Sequence, residues 1–328
     1  MAVRKPVPVD RLEIRILVDN ATDILSTVKP SSESELTGHI KRGMRLIAGR
    51  CLCCAAHGFA CLVTAWRSGT SHSVLFDTGP EPQVLLRNAE RLGIDLGKVE
   101  TVVLSHGHFD HVGALTAVLG AIRARNEAAE VPVYVHPGMF RTRAQQLPGG
   151  DMVVLEEVPD PDVMRAHGAH VIEASGPVTL LDEMFHVSGE IARTTPFERG
   201  LPGHFARTGA GEWQPDPLIM DERYLAIDVA GKGLVVLSAC SHAGLINVLT
   251  DAVRHFPATP IHAVVGGFHL SGPNEAIIPQ TIGSLRAFEP RVIAAAHCTG
   301  WRAVTALAAA FGEGVLDPCA VGKTYRFE

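Results

Sequence analysis

Residues 102–111, V-V-L-S-H-G-H-F-D-H, constrain this chain more than any other stretch. A short apolar run ends in three histidines and one aspartate: His106, His108, Asp110 and His111. Side chains so closely spaced cannot all face one side of a helix or a strand. They fit a turn at the carboxyl end of a buried strand, where the bending backbone aims them at two neighbouring points. Imidazole together with carboxylate suits zinc, manganese or iron. The alternative is a polar loop with coincidental histidines, and the density of an uncommon residue argues against it.

The same arrangement recurs further along. Apolar runs over 233–237, 261–265 and 292–296 read as strands and finish in A-C-S-H-A-G, G-G-F-H-L and H-C-T-G. These turns carry Cys240, His242, His269 and His297, and a helical pattern follows each of them. Strand ends gathered at one edge of a sheet are where α/β proteins place their sites. A lone histidine is more often structural, but the repetition favours His242 and His297 as ligands and leaves His269 open. Residues 12–18, 60–66 and 73–76 read as strands too, the last ending in Asp77-Thr78-Gly79. Asp77 suits a tight turn, or a carboxylate that orients a metal-binding histidine. His57, at the entry to strand 60–66, either points into a cleft or serves as an ordinary structural residue.

Three segments do not follow this rhythm. Residues 21–50 read as an exposed excursion, a lid or a homo-oligomer contact. Residues 138–170 are mixed. Residues 195–220, rich in Gly, Pro and single charges, read as a loop or lid near the site. The expectation is one domain over 1–328 with these as insertions. A chain of 328 residues, 46% hydrophobic, can bury a core of that size. Net charge is −6 without a long basic run, which disfavours a nucleic-acid partner. No apolar run approaches the roughly 20 residues of a spanning helix, so no membrane partner is expected. The first residues lack the apolar stretch of a signal peptide, and the cysteine count of seven is odd. Both point to the cytoplasm. Cys51, Cys53 and Cys54 have no CxxC partner cluster and read as small buried or loop residues.

The motif S-H-G-H-F-D-H resembles the H-x-H-x-D-H signature of the metallo-β-lactamase superfamily, and L-F-D-T-G resembles its aspartate motif. A-A-H-G-F, S-G-E-I-A-R, A-C-S-H-A-G-L-I-N, G-G-F-H-L and H-C-T-G are similar to one branch, that of the 7,8-dihydropterin-6-methyl-4-(β-D-ribofuranosyl)aminobenzene-5′-phosphate synthase. The likeness covers residues 12 to 323. It implies an α/β four-layer αββα sandwich with metals at the edge between two sheets. It further implies that His106 and His108 bind one ion, and Asp110, His111 and His297 the other. Two Zn2+ are the expected cofactors, with Mn2+ or Fe as alternatives. The superfamily's middle histidine is missing: the equivalent turn is Ser188-Gly189-Glu190. Its bridging aspartate is also missing, with Cys240 near that point, and His242 is the candidate to fill the gap. Ala56 stands where the branch more often has Glu.

The implied chemistry is hydrolysis of a small-molecule ester, lactone, phosphoester or activated ether by hydroxide generated at a dinuclear site. By the same analogy Asp110 binds metal and orients the nucleophile, while His269, His57 or Glu190 donates to the substrate or leaving group. A pterin-type synthase and an iron oxidoreductase are the competing readings. No G-x-S-x-G elbow or Walker A loop is present.

Overall fold

The computed structural model describes residues 6–126 and 130–328. The first half of the chain supplies β1 (Arg11–Val18), β2 (Ser32–Glu33), β3 (Ala60–Arg67), β4 (Thr70–Phe76), β5 (Thr101–Val103), β6 (Val131–Val135), β7 (Arg143–Gln146), β8 (Met152–Val154) and β9 (Ala169–Glu173). The second half supplies β10 (Val178–Leu180), β11 (Phe185–Val187), β12 (His204–Arg207), β13 (Trp213–Pro215), β14 (Tyr224–Val229), β15 (Gly233–Ser238), β16 (Ile261–Gly267), β17 (Val292–Ala296) and β18 (Thr324–Phe327). Helices are α1 (Glu35–Lys41), α2 (Pro82–Arg91), α3 (Phe109–Val112), α4 (Leu115–Arg123), α5 (Pro161–Ala166), α6 (Leu245–His255), α7 (Ile278–Leu285) and α8 (Trp301–Phe311).

Two large sheets face each other. One runs β2-β18-β1-β3-β4-β5-β6-β9, the other β10-β11-β14-β15-β16-β17. Their strands are apolar on both faces because each sheet is covered twice. In β15, Val235 and Leu237 join the core between the sheets, while Leu234 and Val236 pack under α6 and its neighbours. In β1 the alternation Leu12, Ile14, Ile16 faces the inter-sheet core, Leu17 falls on the opposite face towards the α2 and α4 layer, and a register shift after Ile16 turns Val18 to that layer too. The outcome is the αββα sandwich that the sequence implies.

Strand direction then positions the loops. The pairs β4–β5 and β5–β6 are parallel in the first sheet, as are β15–β16 and β16–β17 in the second. Their carboxyl ends therefore share an edge. The carboxyl end of β1 and the entry to β3 reach the same edge, since β3 is antiparallel to both β1 and β4.

Two expectations need correction. Residues 195–220 are not only loop: they hold β12 and β13. These pair with β7 and β8 from the unplaced 138–170 segment, giving a third sheet of order β13-β12-β7-β8. Nor is 21–50 wholly an exposed excursion. Its β2 closes one edge of the first sheet, and Ser34 caps α1, whose Glu35 and His39 are buried. Leu25, Leu46 and Ile47 in that segment are exposed. The strand β18, not anticipated, pairs with β1. Cys53 is buried and Cys51 and Cys54 partly so, as small loop residues should be.

One core position is electrostatically awkward. His186 in β11 is 1% exposed, stacks edge-on against Phe256, and neither ring nitrogen has a hydrogen-bond partner. Burial, assisted by His255, pushes its pKa from 6.5 down to about 4. The unfolded chain therefore binds a proton more readily, and stability falls as pH drops from 6.5 towards 4, by on the order of 3 kcal/mol. His186→Phe should raise stability and flatten this acid limb, which denaturant titrations at pH 7.5 and 5 would show. A variant with an unchanged pH slope would contradict the account.

Candidate metal centre

Histidines, thiols and carboxylates from both large sheets meet at the shared edge. Three imidazoles form the first group. His106 Nε2 lies 3.0 Å from His108 Nδ1 and 3.1 Å from His242 Nε2. Three nitrogens on a tetrahedral zinc ion would be about 3.3 Å apart, so the spacing suits a metal. The second group is Asp110, His111 and His297. Asp110 Oδ2 stands 3.2 Å from His297 Nε2 and 3.8 Å from His111 Nε2. Cys240 Sγ sits 3.3 Å from His111 Nε2. His106 adjoins both groups, with its ring 4.3 Å from that of His111.

The backbone that delivers these residues is held in uncommon conformations. Asp77, Ser241, His269 and His297 all have positive φ, between 44° and 60°. Non-glycine residues adopt this region rarely, and here it is concentrated on the loops of one edge. Gly58 is required for closeness: a Cβ there would lie 2.4 Å from the Asp110 carbonyl oxygen. The turn carrying His242 is tied to Glu222, whose carboxylate accepts from His242 N at 2.7 Å and Ala243 N at 2.6 Å. Burial raises the Glu222 pKa to about 7.

Hydrogen bonds commit the outer nitrogen of most rings and so leave the inner one free for an ion. His111 Nδ1 donates to Asp77 Oδ2 at 2.7 Å. His106 Nδ1 donates to Ser105 Oγ at 2.9 Å, and that hydroxyl donates to Asp77 Oδ2 at 2.7 Å. His297 Nδ1 donates to Asn20 Oδ1 at 2.9 Å. The amide of Asn20 also donates to His57 Nδ1 at 3.2 Å, which leaves the His57 proton on Nε2, 3.5 Å from Asp110 Oδ2. His108 Nε2 contacts His204 Nε2 at 3.1 Å. His204 is buried from the third sheet, and its burial favours the neutral ring.

The field of the site favours cations. Burial alone would make His111 less basic, yet Asp110 and Asp77 outweigh it and raise its pKa to about 9. Burial opposes ionisation of Asp110, but His111 and His297 hold its carboxyl well below the usual range. The two carboxylates that favour a proton on His111 favour a metal ion in its place. Burial holds His106, His108 and His242 in the neutral form that ligation needs.

The sequence-predicted residues are thus gathered unevenly. His106, His108, Asp110, His111, His242 and His297 converge, with Asp77 behind His111 and Cys240 beside it. His269 stacks on His242, with ring centroids 4.3 Å apart. His57 lies at the exposed rim. Glu190 does not join them: it is solvent-exposed and faces His136 Nε2 at 3.3 Å. His242, instead, stands with His106 and His108. Asn20, His204, Glu222 and Cys298 were missed. Cys298 adjoins the predicted His297, and its thiol is 3.2 Å from that of Cys240.

A sandwich of two sheets with histidine groups on the edge between them defines the metallo-β-lactamase fold. The model of the metallo-β-lactamase superfamily matches residues 58–196, the stretch that carries the H-x-H-x-D-H motif. The chain is 28% identical over 274 residues to the 7,8-dihydropterin-6-methyl-4-(β-D-ribofuranosyl)-aminobenzene-5′-phosphate synthase of Methanocaldococcus jannaschii, spanning 83% of this chain and 90% of that one. Among solved structures it is similar to Tm1679, a metal-dependent hydrolase of the β-lactamase superfamily. The TM-score is 0.70 with 23% identity, covering 97% of this chain and 98% of the other. The metallo-β-lactamase fold protein YhfI from Bacillus subtilis matches with TM-score 0.50 and 13% identity, over 97% and 100% of the two chains.

Asp77→Asn would weaken the acceptor for both His111 and Ser105. Zn2+ affinity should fall about 10- to 100-fold, as read by competition with a chromophoric chelator. Unchanged affinity would show that Asp77 only shapes the turn.

Proposed function

We propose that the protein is a divalent-metal-dependent hydrolase of a small molecule, using two ions held by His106, His108 and His242 and by Asp110, His111 and His297. One observation carries this reading: at least four of these rings have an outer nitrogen engaged and an inner nitrogen turned into one of the two groups. Bound divalent ions supply Lewis acidity and activate water at neutral pH, which suits attack on an ester, lactone, phosphoester or activated ether.

The chain's own groups divide the remaining work. Asp110 stays ionised beside His111 and His297, so it can both bind a cation and accept a hydrogen bond from an attacking water. His57 presents an Nε2–H from a side chain that is 64% exposed, and is placed to donate to substrate rather than to take a proton. Cys240 offers a sulfur to the second group where the superfamily more often has a carboxylate. Zn2+ is the proposed ion, with Mn2+ or Fe as alternatives.

A second reading is a pterin-type synthase, favoured by the 28% identity to the archaeal enzyme over most of both chains. Both readings require the same ions and differ in product. An iron oxidoreductase on the same ligands is separated from them by its absorbing, redox-active metal. The proposed partner is a small-molecule substrate. No helix among the described residues is long and apolar enough to cross a membrane.

The protein purified and reconstituted with Zn2+, Mn2+ or Fe2+ should hold two equivalents of metal and turn over members of an ester, lactone and phosphoester panel. His108→Ala should lose one equivalent and at least about 100-fold in kcat/KM while keeping its circular dichroism spectrum. Wild-type turnover by that variant at equal metal occupancy would overturn the site. Condensation products without hydrolysis would favour the synthase.

A further inference from the structure

The metal ligands proposed above come from loops of the two large sheets. The third sheet adds a side chain, His204, to which that reading gives no role beyond contact with His108. His204 opens β12, is 1% exposed, and meets His108 ring to ring, Nε2 to Nε2 at 3.1 Å. On its other side, His204 Nδ1 is 2.7 Å from the main-chain oxygen of Asp216, next to β13. A carbonyl oxygen only accepts, so Nδ1 carries the proton of the neutral His204 ring and Nε2 carries a lone pair. The single proton between the two rings must then belong to His108 Nε2. His108 Nδ1 is left with its lone pair, and this is the atom 3.0 Å from His106 Nε2.

Arg143 of the same sheet, with Asp221 from the segment between β13 and β14, grips the backbone between the two histidines of the motif. Gly107 N donates to Asp221 Oδ2 at 2.9 Å, and Gly107 O accepts from Arg143 Nη1, on β7, at 2.9 Å. Arg143 and Asp221 are themselves paired. A Cβ on residue 107 would lie 2.8 Å from Arg143 Nη1 and 2.8 Å from Met139 O, so the docking surface allows only glycine there.

We propose that His204 is a positioning residue for the first metal: the inserted sheet selects the His108 tautomer and fixes the ring so that Nδ1 faces the ion. This rests on the two-ion reading. The arrangement differs from that of His106 and His111. Asp77 steadies His111 directly and His106 through Ser105, whereas His108 depends on an uncharged ring anchored to a main-chain carbonyl. Loss of His204 should therefore act on one ion and spare the other.

The test compares wild type with His204→Ala, His204→Phe and His204→Gln, each prepared metal-free. Zn2+ is titrated against a chromophoric chelator, and Co2+ is followed by its visible absorption. The Ala and Phe variants should retain one ion at wild-type affinity and bind the other about 10- to 100-fold more weakly. The Gln variant, whose side-chain carbonyl can accept from His108 Nε2–H, should recover most of that loss. Melting temperatures of the metal-free proteins report the fold, and Phe against Gln separates the lost acceptor from lost packing. Equal binding of both ions by wild type, Phe and Gln variants would overturn this inference alone, as would equal weakening of both ions. Wild-type protein that takes up no divalent ion would overturn the two-ion reading and this inference together.

Discussion

The carboxylate of Asp77 is the contact on which both halves of the cluster depend. It accepts from His111 Nδ1, from the Ser105 hydroxyl and from the Ser105 backbone N–H, all at 2.7 Å. Through Ser105 it also governs His106. Charge-assisted hydrogen bonds of this kind contribute roughly 1.5–3 kcal/mol each, and here they are fully buried. The loop after β4 therefore organises the loop after β5, although only Asp110 and the histidines of the latter face the centre. The second sheet adds its ligands to a half-site that is already ordered.

Much of this was legible in the sequence for a geometric reason. Parallel strands carry their carboxyl ends to one edge, so a repeated pattern of apolar run followed by a histidine-bearing turn reports a shared location. That places His106, His108, Asp110, His111, His242 and His297 together without any knowledge of tertiary structure. The positioning residues carry no such pattern. Asn20 looks like a turn residue after β1, and its function appears only when His297 arrives beside it. His204 lies in H-F-A-R, a strand too short and too flanked by glycine and proline to show alternation. Its partner β7 lies far away in sequence. Glu190 stands apart because its side chain is exposed and faces His136, which its residue type and neighbours do not reveal.

Cys240 marks where this chain departs from the commoner arrangement of the superfamily whose model matches residues 58–196. A carboxylate presents two oxygens and can reach two ions, whereas a thiol presents one softer atom. Burial raises the Cys240 thiol pKa, and the neighbouring Cys298 thiol adds to the effect. Deprotonation there needs a nearby cation to offset it. His269, with its ring against His242, completes a lining richer in nitrogen and sulfur than in oxygen.

The strand β18 has a consequence for how the protein comes into being. It lies between β2 and β1, with Phe327 opposite Leu12 and Thr324 opposite both Arg15 and Glu33. The site repeats this span, since Asp19 accepts from the backbone N–H of His297 at 2.7 Å. Neither the first sheet nor the second histidine group can close while the later residues are still being synthesised. Contacts between such distant parts of a chain make folding slow and leave strand edges unpaired in the meantime. During translation the amino-terminal half waits with its sheet incomplete, exposed to chaperones and to the wrong partners until β18 arrives.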